Sequence, residues 1–248
     1  GFLDDSTLGP RALTDLRQAN RLDPSRPAVW MAQASIESRI GELRAALFSI
    51  RRAQEADPLH SQGDYLDYKR FEAELQLERY DSAMVACSVG ARRYPKAPLF
   101  RICGTKVAGL RSAEARDADT ALRLADSLAG LEKLALPPTT PTELRLYAAA
   151  ILWRAGLADS GERVYTRVSA DWGANVDPGM LTDAAYARMV RGDIDSALAL
   201  AARAVRADPM IARSLVELPQ FAPLRRDAGF GAATQGIPPA ETRGAPDR

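Results

Sequence analysis

Four stretches of the chain place a small residue, an apolar or small residue, a second small residue and a proline at relative positions 0, 4, 7 and 12. They are Ala12, Leu16, Ala19 and Pro24; Ala46, Ile50, Ala53 and Pro58; Ala83, Cys87, Gly90 and Pro95; and Ala197, Ala201, Ala204 and Pro209. The first two prolines lie 34 residues apart. Spacings of three and four residues put the first three side chains on one face of an α-helix. The proline then ends that helix, because the residue before it is pushed out of helical backbone geometry. A pattern recurring at such a period specifies an all-α solenoid, in which each unit buries its face against the next.

Composition agrees with a packed helical array. The 248 residues are 46% hydrophobic and 26% charged, with a net charge of +1, so no bulk field favours nucleic acid or an anionic membrane. The basic residues are nearly all Arg; Lys appears only at 69, 96, 106 and 133. No run approaches the length of uncharged apolar sequence that spans a bilayer. The most apolar stretches, 144–153 and 197–205, are short and each contains an Arg.

Punctuation divides the chain into helix pairs. Pro10 and the stripe Ala12, Leu13, Leu16, Ala19, Leu22 predict a helix over 10–23, stopped by Asp23-Pro24. A second helix is expected over 27–40, with Trp30, Ala34 and Ile40, broken by Gly41. Its partner runs over 42–56 and ends at Asp57-Pro58. Gly156 and Gly192 stand where Gly41 stands, five residues before the small residue that opens the stripe. Asp177-Pro178 and Asp208-Pro209 repeat the stop. Over 64–77, Tyr65, Tyr68, Phe71 and Leu75 indicate a shifted register. The segment 97–136 departs most from the pattern and should hold helices over 97–110 and 117–134, followed by a rigid break at Pro137, Pro138 and Pro141.

These units resemble tetratricopeptide repeats. That family places a large apolar residue at the fourth position and small ones at the eighth and twentieth. An aromatic or aliphatic residue follows at the twenty-fourth, a small one at the twenty-seventh and Pro at the thirty-second. Counted from Pro27, these are Trp30, Ala34, Ala46, Ile50, Ala53 and Pro58; counted from Pro178, they are Leu181, Ala185, Ala197, Ala201, Ala204 and Pro209. The unit from Thr142 has Ala149, Gly161, Tyr165 and Val168, but Arg145 at its fourth position and no closing Pro. The resemblance covers roughly residues 10–209, in about five repeats. It implies a right-handed superhelix of antiparallel pairs spanning 1–230.

Residues 210–217 read as one more helix. The following Leu218 to Leu224 and Asp227 to Phe230 resemble the closing segment of many bacterial repeat proteins, which would lay Phe221, Leu224 and Phe230 over the last pair. Residues 231–248, rich in Gly, Pro and Ala, are expected to be disordered. The first match, Ala12 to Pro24, belongs to the second helix of a unit, so the array is expected to begin with a half repeat.

The resemblance also implies a binding face, since first helices of successive repeats line a concave groove. Its positions carry over to Met31, Ser35, Ser38 and Arg39; to Leu146, Ala150, Trp153 and Arg154; and to Thr182, Tyr186, Met189 and Val190. Arg39 and Arg154 do not amount to the Lys/Arg/Asn clamp with which some members hold a peptide carboxylate. Trp153 and Tyr186 have the alternative of packing against neighbouring helices.

Residues for chemistry are missing from the sequence. His60, the sole His, follows Asp57-Pro58 without a nucleophile or orienting partner in view. No nucleophile elbow, phosphate loop or zinc spacing occurs. The run Arg116 to Thr120 lacks the Gly and closing Glu of a calcium loop. Neither a metal nor a cofactor is expected. Cys87 and Cys103 fall on neighbouring helices; the simpler reading is two buried free thiols, and the alternative is one bridge. The expected function is a non-catalytic scaffold that binds a protein or peptide in the groove, as part of a larger bacterial protein or complex. The alternative is a structural subunit that self-associates through the half repeat.

Overall fold

The structure, a computed structural model, describes residues 8–58, 62–129, 136–170, 172–173, 176–209 and 211–234; for 8–10 and 213 only the backbone is described. His60 and residues 235–248 of the tail lie outside them. Among the described residues there are fourteen α-helices, two 3₁₀ turns and no strand. After α1 (Leu8–Leu22) come five pairs: α2 (Pro27–Arg39) with α3 (Leu43–Ala56), α4 (Gly63–Gln76) with α5 (Tyr80–Arg93), α6 (Cys103–Arg111) with α7 (Ala115–Leu128), α8 (Thr140–Arg154) with α9 (Ala158–Ser169), and α10 (Pro178–Arg191) with α11 (Ile194–Ala207). Then follow α12 (Ile211–Glu217) and the single turns α13 (Ala222–Arg225) and α14 (Phe230–Ala233).

Connections of only a few residues fold each pair back on itself. Gly41, Gly156 and Gly192 turn three of them, with φ of 78°, 77° and 87°. L-side chains avoid that left-handed region and glycine does not. In the α4–α5 turn the same role falls to Glu78, at φ 57°.

Close approach explains the small-residue stripe. Ala46, Ala53, Ala83, Ala197, Ala201 and Ala204 are fully buried. A methyl group at Gly90 would collide with the ring of Phe100, and one at Gly161 would lie 2.7 Å from the Trp153 indole nitrogen. Every Cβ added along this line pushes two helices apart.

Several sequence expectations change, and the helix foreseen over 117–134 ends at Leu128. The helix foreseen over 97–110 is divided: Pro98–Arg101 forms a 3₁₀ turn and α6 begins at Cys103. The 3₁₀ turn seats buried Phe100 over Gly90 and beside Tyr68, with ring centroids 6.2 Å apart. The two cysteines are bridged rather than free: Cys87 of α5 joins Cys103 of α6, with Cα atoms 6.0 Å apart.

The pairs do not form an open arc. Leu43, at the start of α3, shares an apolar cluster with Leu146, Tyr186, Leu218 and Phe221, and Leu77 and Leu110 pack on its rim. Glu217, the last residue of α12, lies against Gly41 at the end of α2. The C-terminal ends of α2, α6, α8, α10 and α12 thus converge on one hub. Phe221, Leu224 and Phe230 are buried in the same cluster as Ala197 and Ala201 of α11. The helical turn α14 carries the ordered chain past residue 231 to Ala233.

Candidate functional site: the inner face of the first helices

Residues from α4, α6 and α8 form a ladder of alternating charge, and α10 adds a second acid near its end. Lys69 Nζ lies 2.8 Å from Glu72 on the next turn of α4. Lys106 of α6 lies 3.9 Å from Glu72 and 2.8 Å from Glu143 of α8. Asp183 of α10 interacts with Glu143 and Lys106 at the far end. These distances require α4, α6 and α8 to turn the ladder positions toward one another.

Titration behaviour follows from that enclosure. Burial alone would push the Glu72 carboxyl up, but Lys69 and Lys106 outweigh it and hold the group below the usual carboxylate range. Burial works against the Lys106 ammonium, yet Glu143, Tyr68 and Glu72 raise its pKa well above that of an ordinary lysine. Asp183 is the opposite case. Burial and then the Glu143 charge drive its carboxyl well above the carboxylate range, with Lys106 opposing. Asp183 has no hydrogen-bond or ion-pair partner among the described residues. Tyr147 of α8 is pushed up by burial, and then by Asp183 and Glu143.

Beside the first rung, between α2 and α4, is a depression of about 230 Å³. Ser35, Ser38 and Arg39 of α2 line it together with Tyr65, Lys69, Glu72 and Gln76 of α4. Ser35 Oγ donates to the Met31 carbonyl at 3.0 Å. Lys69 sits over the Tyr65 ring, 5.4 Å from its centroid. Arg39 is exposed and has no ion-pair or hydrogen-bond partner among the described residues.

The residues expected to face the groove divide into two groups. Ser35, Ser38 and Arg39 line the depression. Met31 is buried beside it in a cluster with Trp30, Ala34 and Leu66. Leu146, Ala150, Trp153, Tyr186 and Met189 are buried in the hub cluster, and Val190 packs on its edge. Arg154 donates to the carbonyls of Gly109 at 2.9 Å and Ser112 at 3.2 Å, and to the Tyr186 hydroxyl. Tyr186 in turn donates to Leu110 O at 3.1 Å, and burial pushes its phenol up to about 12. Thr182 donates to Pro178 O at 3.0 Å. Trp153 packs on Tyr165 at 5.7 Å, with Arg188 5.8 Å from its ring centre.

The sequence reading missed the ladder. Glu143 lies one helical turn before Leu146, and Asp183 one turn before Tyr186, so both were reachable by extending the same helical face. Lys106 falls in the stretch that departs from the repeat.

Among the described residues, no group of three or more His, Cys, Asp or Glu side chains is disposed to hold a metal ion. No described helix is long and apolar enough to cross a membrane.

Paired helices, glycine turns and a buried small-residue contact line recur from α2 to α11. The chain is an all-α array of antiparallel helix pairs. No family model matches it, and no curated protein does. Among solved structures it is similar to YrrB, a TPR protein with an unusual peptide-binding site, at 18% identity over 81% of this chain and 96% of that one, with a TM-score of 0.41. It is also similar to the P58(IPK) TPR domain, at 15% identity over 90% of this chain, with a TM-score of 0.39; the match spans 62% of that chain.

Proposed function

We propose that this chain is a non-catalytic scaffold that holds an extended segment of a protein partner on the inner face of its first helices. The observation that carries this reading is the depression between α2 and α4, where Ser35, Ser38 and Arg39 meet Tyr65 and Gln76. It offers hydroxyl, amide, guanidinium and aromatic groups at one open site, the mixture that fixes a peptide side chain in place. The contact region extends from there along the ladder. Leu146, Trp153, Arg154, Tyr186, Met31 and Met189 serve it as the rigid support beneath.

The test is selection of displayed 12-residue peptides against the whole 248-residue chain. Binding of the selected peptides is then compared on wild type and on Ser35→Tyr, whose larger side chain fills the depression. Loss of at least tenfold in affinity on Ser35→Tyr, with helical content unchanged, is the expected result. Failure to select any peptide, or equal binding to both proteins, would count against the groove.

A further inference from the structure

Between Asp81 and Glu114 the sequence holds six bases and no acid. Three of the bases are used within the fold. Lys106 pairs with Glu72 and Glu143. Arg93 lies 3.8 Å from Asp67 and donates to the Pro58 carbonyl. Arg111 stands over the Tyr80 ring, 5.5 Å from its centroid. The other three, Arg92 of α5, Lys96 just after it and Arg101 of the 3₁₀ turn, are exposed and have no ion pair or hydrogen bond among the described residues. Phe100 over Gly90 and the Cys87–Cys103 bridge hold the 3₁₀ turn to α5, which keeps Arg101 near the C-terminal half of that helix.

The same helix carries an exposed apolar strip. Met84, Val85 and Val89 are 37%, 59% and 38% exposed. No other described helix exposes more than one large apolar side chain. Ala83, Ala86, Cys87 and Gly90 are buried against the core. Positions 85, 89 and 92, spaced by four and three, share the opposite side of α5. Val85, Val89 and Arg92 therefore run in line, with Lys96 and Arg101 beyond them. None of the residues lining the α2–α4 depression is on α5, so this is a second surface.

We infer that the outer face of α5 docks an acidic, aliphatic segment of a partner protein. The partner's apolar side chains cover Met84, Val85 and Val89, and its carboxylates meet Arg92, Lys96 and Arg101. The inference stands apart from the groove reading. Uncompensated cations beside an apolar strip reward one kind of partner, since a carboxylate gains an attraction that no group of this chain already supplies. An exposed apolar strip rimmed by charge is the usual composition of such a contact. Val85 and Arg92 lie two turns apart, about 10 Å along the axis, so the partner's apolar and acidic residues form adjoining blocks. A lipid surface fits less well. Lipid-seeking faces set Trp, Phe or Leu against their bases, whereas this strip has none of them and begins beside the exposed acid Asp81.

Displayed peptides test this when they are selected on the whole chain after depletion on a triple variant, Arg92→Glu with Lys96→Glu and Arg101→Glu. Only peptides that need these cations then remain. The pool is expected to be rich in Asp and Glu beside Val, Leu or Ile. Single peptides should bind the triple variant at least tenfold more weakly, with the difference shrinking in high salt. They should bind Val85→Ser with Val89→Ser at least fivefold more weakly, and Ser35→Tyr as tightly as wild type. The substituted side chains on this face are exposed, so circular dichroism should show unchanged helical content. An empty pool after depletion, or peptides indifferent to Val85→Ser with Val89→Ser, would overturn the inference. Two further results would overturn it by naming another occupant. Cosedimentation with vesicles of mixed phosphatidylserine and phosphatidylcholine, lost in the triple variant, would assign the face to a membrane. A doubled molar mass by light scattering, restored to that of the monomer in the triple variant, would assign it to a second copy of this chain.

Discussion

Glu217 lies directly against Gly41, although 176 residues of chain separate them. The contact brings the end of α12 onto the turn between α2 and α3, and with Leu43 it closes the array at the hub. Gly41 therefore meets two demands, a positive φ and the absence of a Cβ. Gly156 and Gly192 meet only the first, since nothing lies within 4 Å of where their Cβ would be.

A comparison of three alanine variants separates those demands. Gly156→Ala and Gly192→Ala are expected to cost about 1–2 kcal/mol each, the strain of a left-handed non-glycine residue. Gly41→Ala should cost more, because the new methyl group also displaces the Glu217 carboxylate. Adding Glu217→Ala to Gly41→Ala should return the cost to that of the other two. Chemical denaturation of the four proteins provides the measurement. Equal costs for all three glycines would mean that the closing contact contributes nothing in solution.

The bridge between Cys87 and Cys103 ties α5 to α6 where the chain departs furthest from the repeat. Both residues are buried, so alkylating reagents should label neither until the protein is denatured and reduced. The sequence separation is 16 residues, and closing a loop of about this size is worth about 3 kcal/mol. Reduction should therefore lower the midpoint of thermal unfolding, by about 2–4 °C per kcal/mol for a chain of this length. A midpoint unmoved by reductant, in protein shown by mass to be reduced, would contradict this account.

Much of this architecture was legible in the sequence. Gly41, Gly156 and Gly192 marked the turns, and Ala46, Ala53, Ala197 and Ala204 marked the contact line, because turns and helix faces are local properties. Ser35, Ser38 and Arg39 were legible as groove residues for the same reason. Trp153 and Tyr186 occupy equivalent positions, yet the curvature of the array consumes them. Tyr186 reaches Leu110, 76 residues away, and no periodicity encodes such a meeting. Lys69, Glu72 and Lys106 were hidden because their helices depart from the repeat register. Charged residues also read as solvated until the helices that face them are known.

Glu37 shows how a polar group locks the first units together. Its side chain is 1% exposed. It accepts hydrogen bonds from Gln33 at 2.8 Å, Ser49 at 2.7 Å and Arg17 at 3.3 Å, linking α1, α2 and α3. Asn20 extends the network by donating to Gln33 at 2.7 Å. Glu37→Ala leaves the Ser49 hydroxyl and the Gln33 amide buried without an acceptor. A loss of about 2–4 kcal/mol is expected. Hydrogen exchange should report it first in α1, which has no neighbour before it among the described residues. Uniform loosening across all helices would instead indicate a single cooperative unit.

Asp183 gives the array a pH dependence of predictable sign. The groups around it are Glu143 and Tyr147 of α8, Lys106 of α6 and Asp177 before α10. Burial and the Glu143 charge raise its folded pKa above the unfolded value, so the folded chain holds this proton more tightly than the unfolded one. The resulting stabilisation is full below the unfolded pKa of about 3.9 and is lost as pH rises through the folded pKa. Asp183→Asn removes the ionisation and preserves the shape. Its unfolding midpoint should exceed that of wild type at pH 8, by a few degrees at about 2–4 °C per kcal/mol. The advantage should fade as pH falls and vanish near pH 3.5, where both side chains are neutral. Thermal scans of both proteins at three pH values provide the measurement. An Asn variant less stable than wild type at pH 8 would show that the Asp183 charge is compensated in the folded chain.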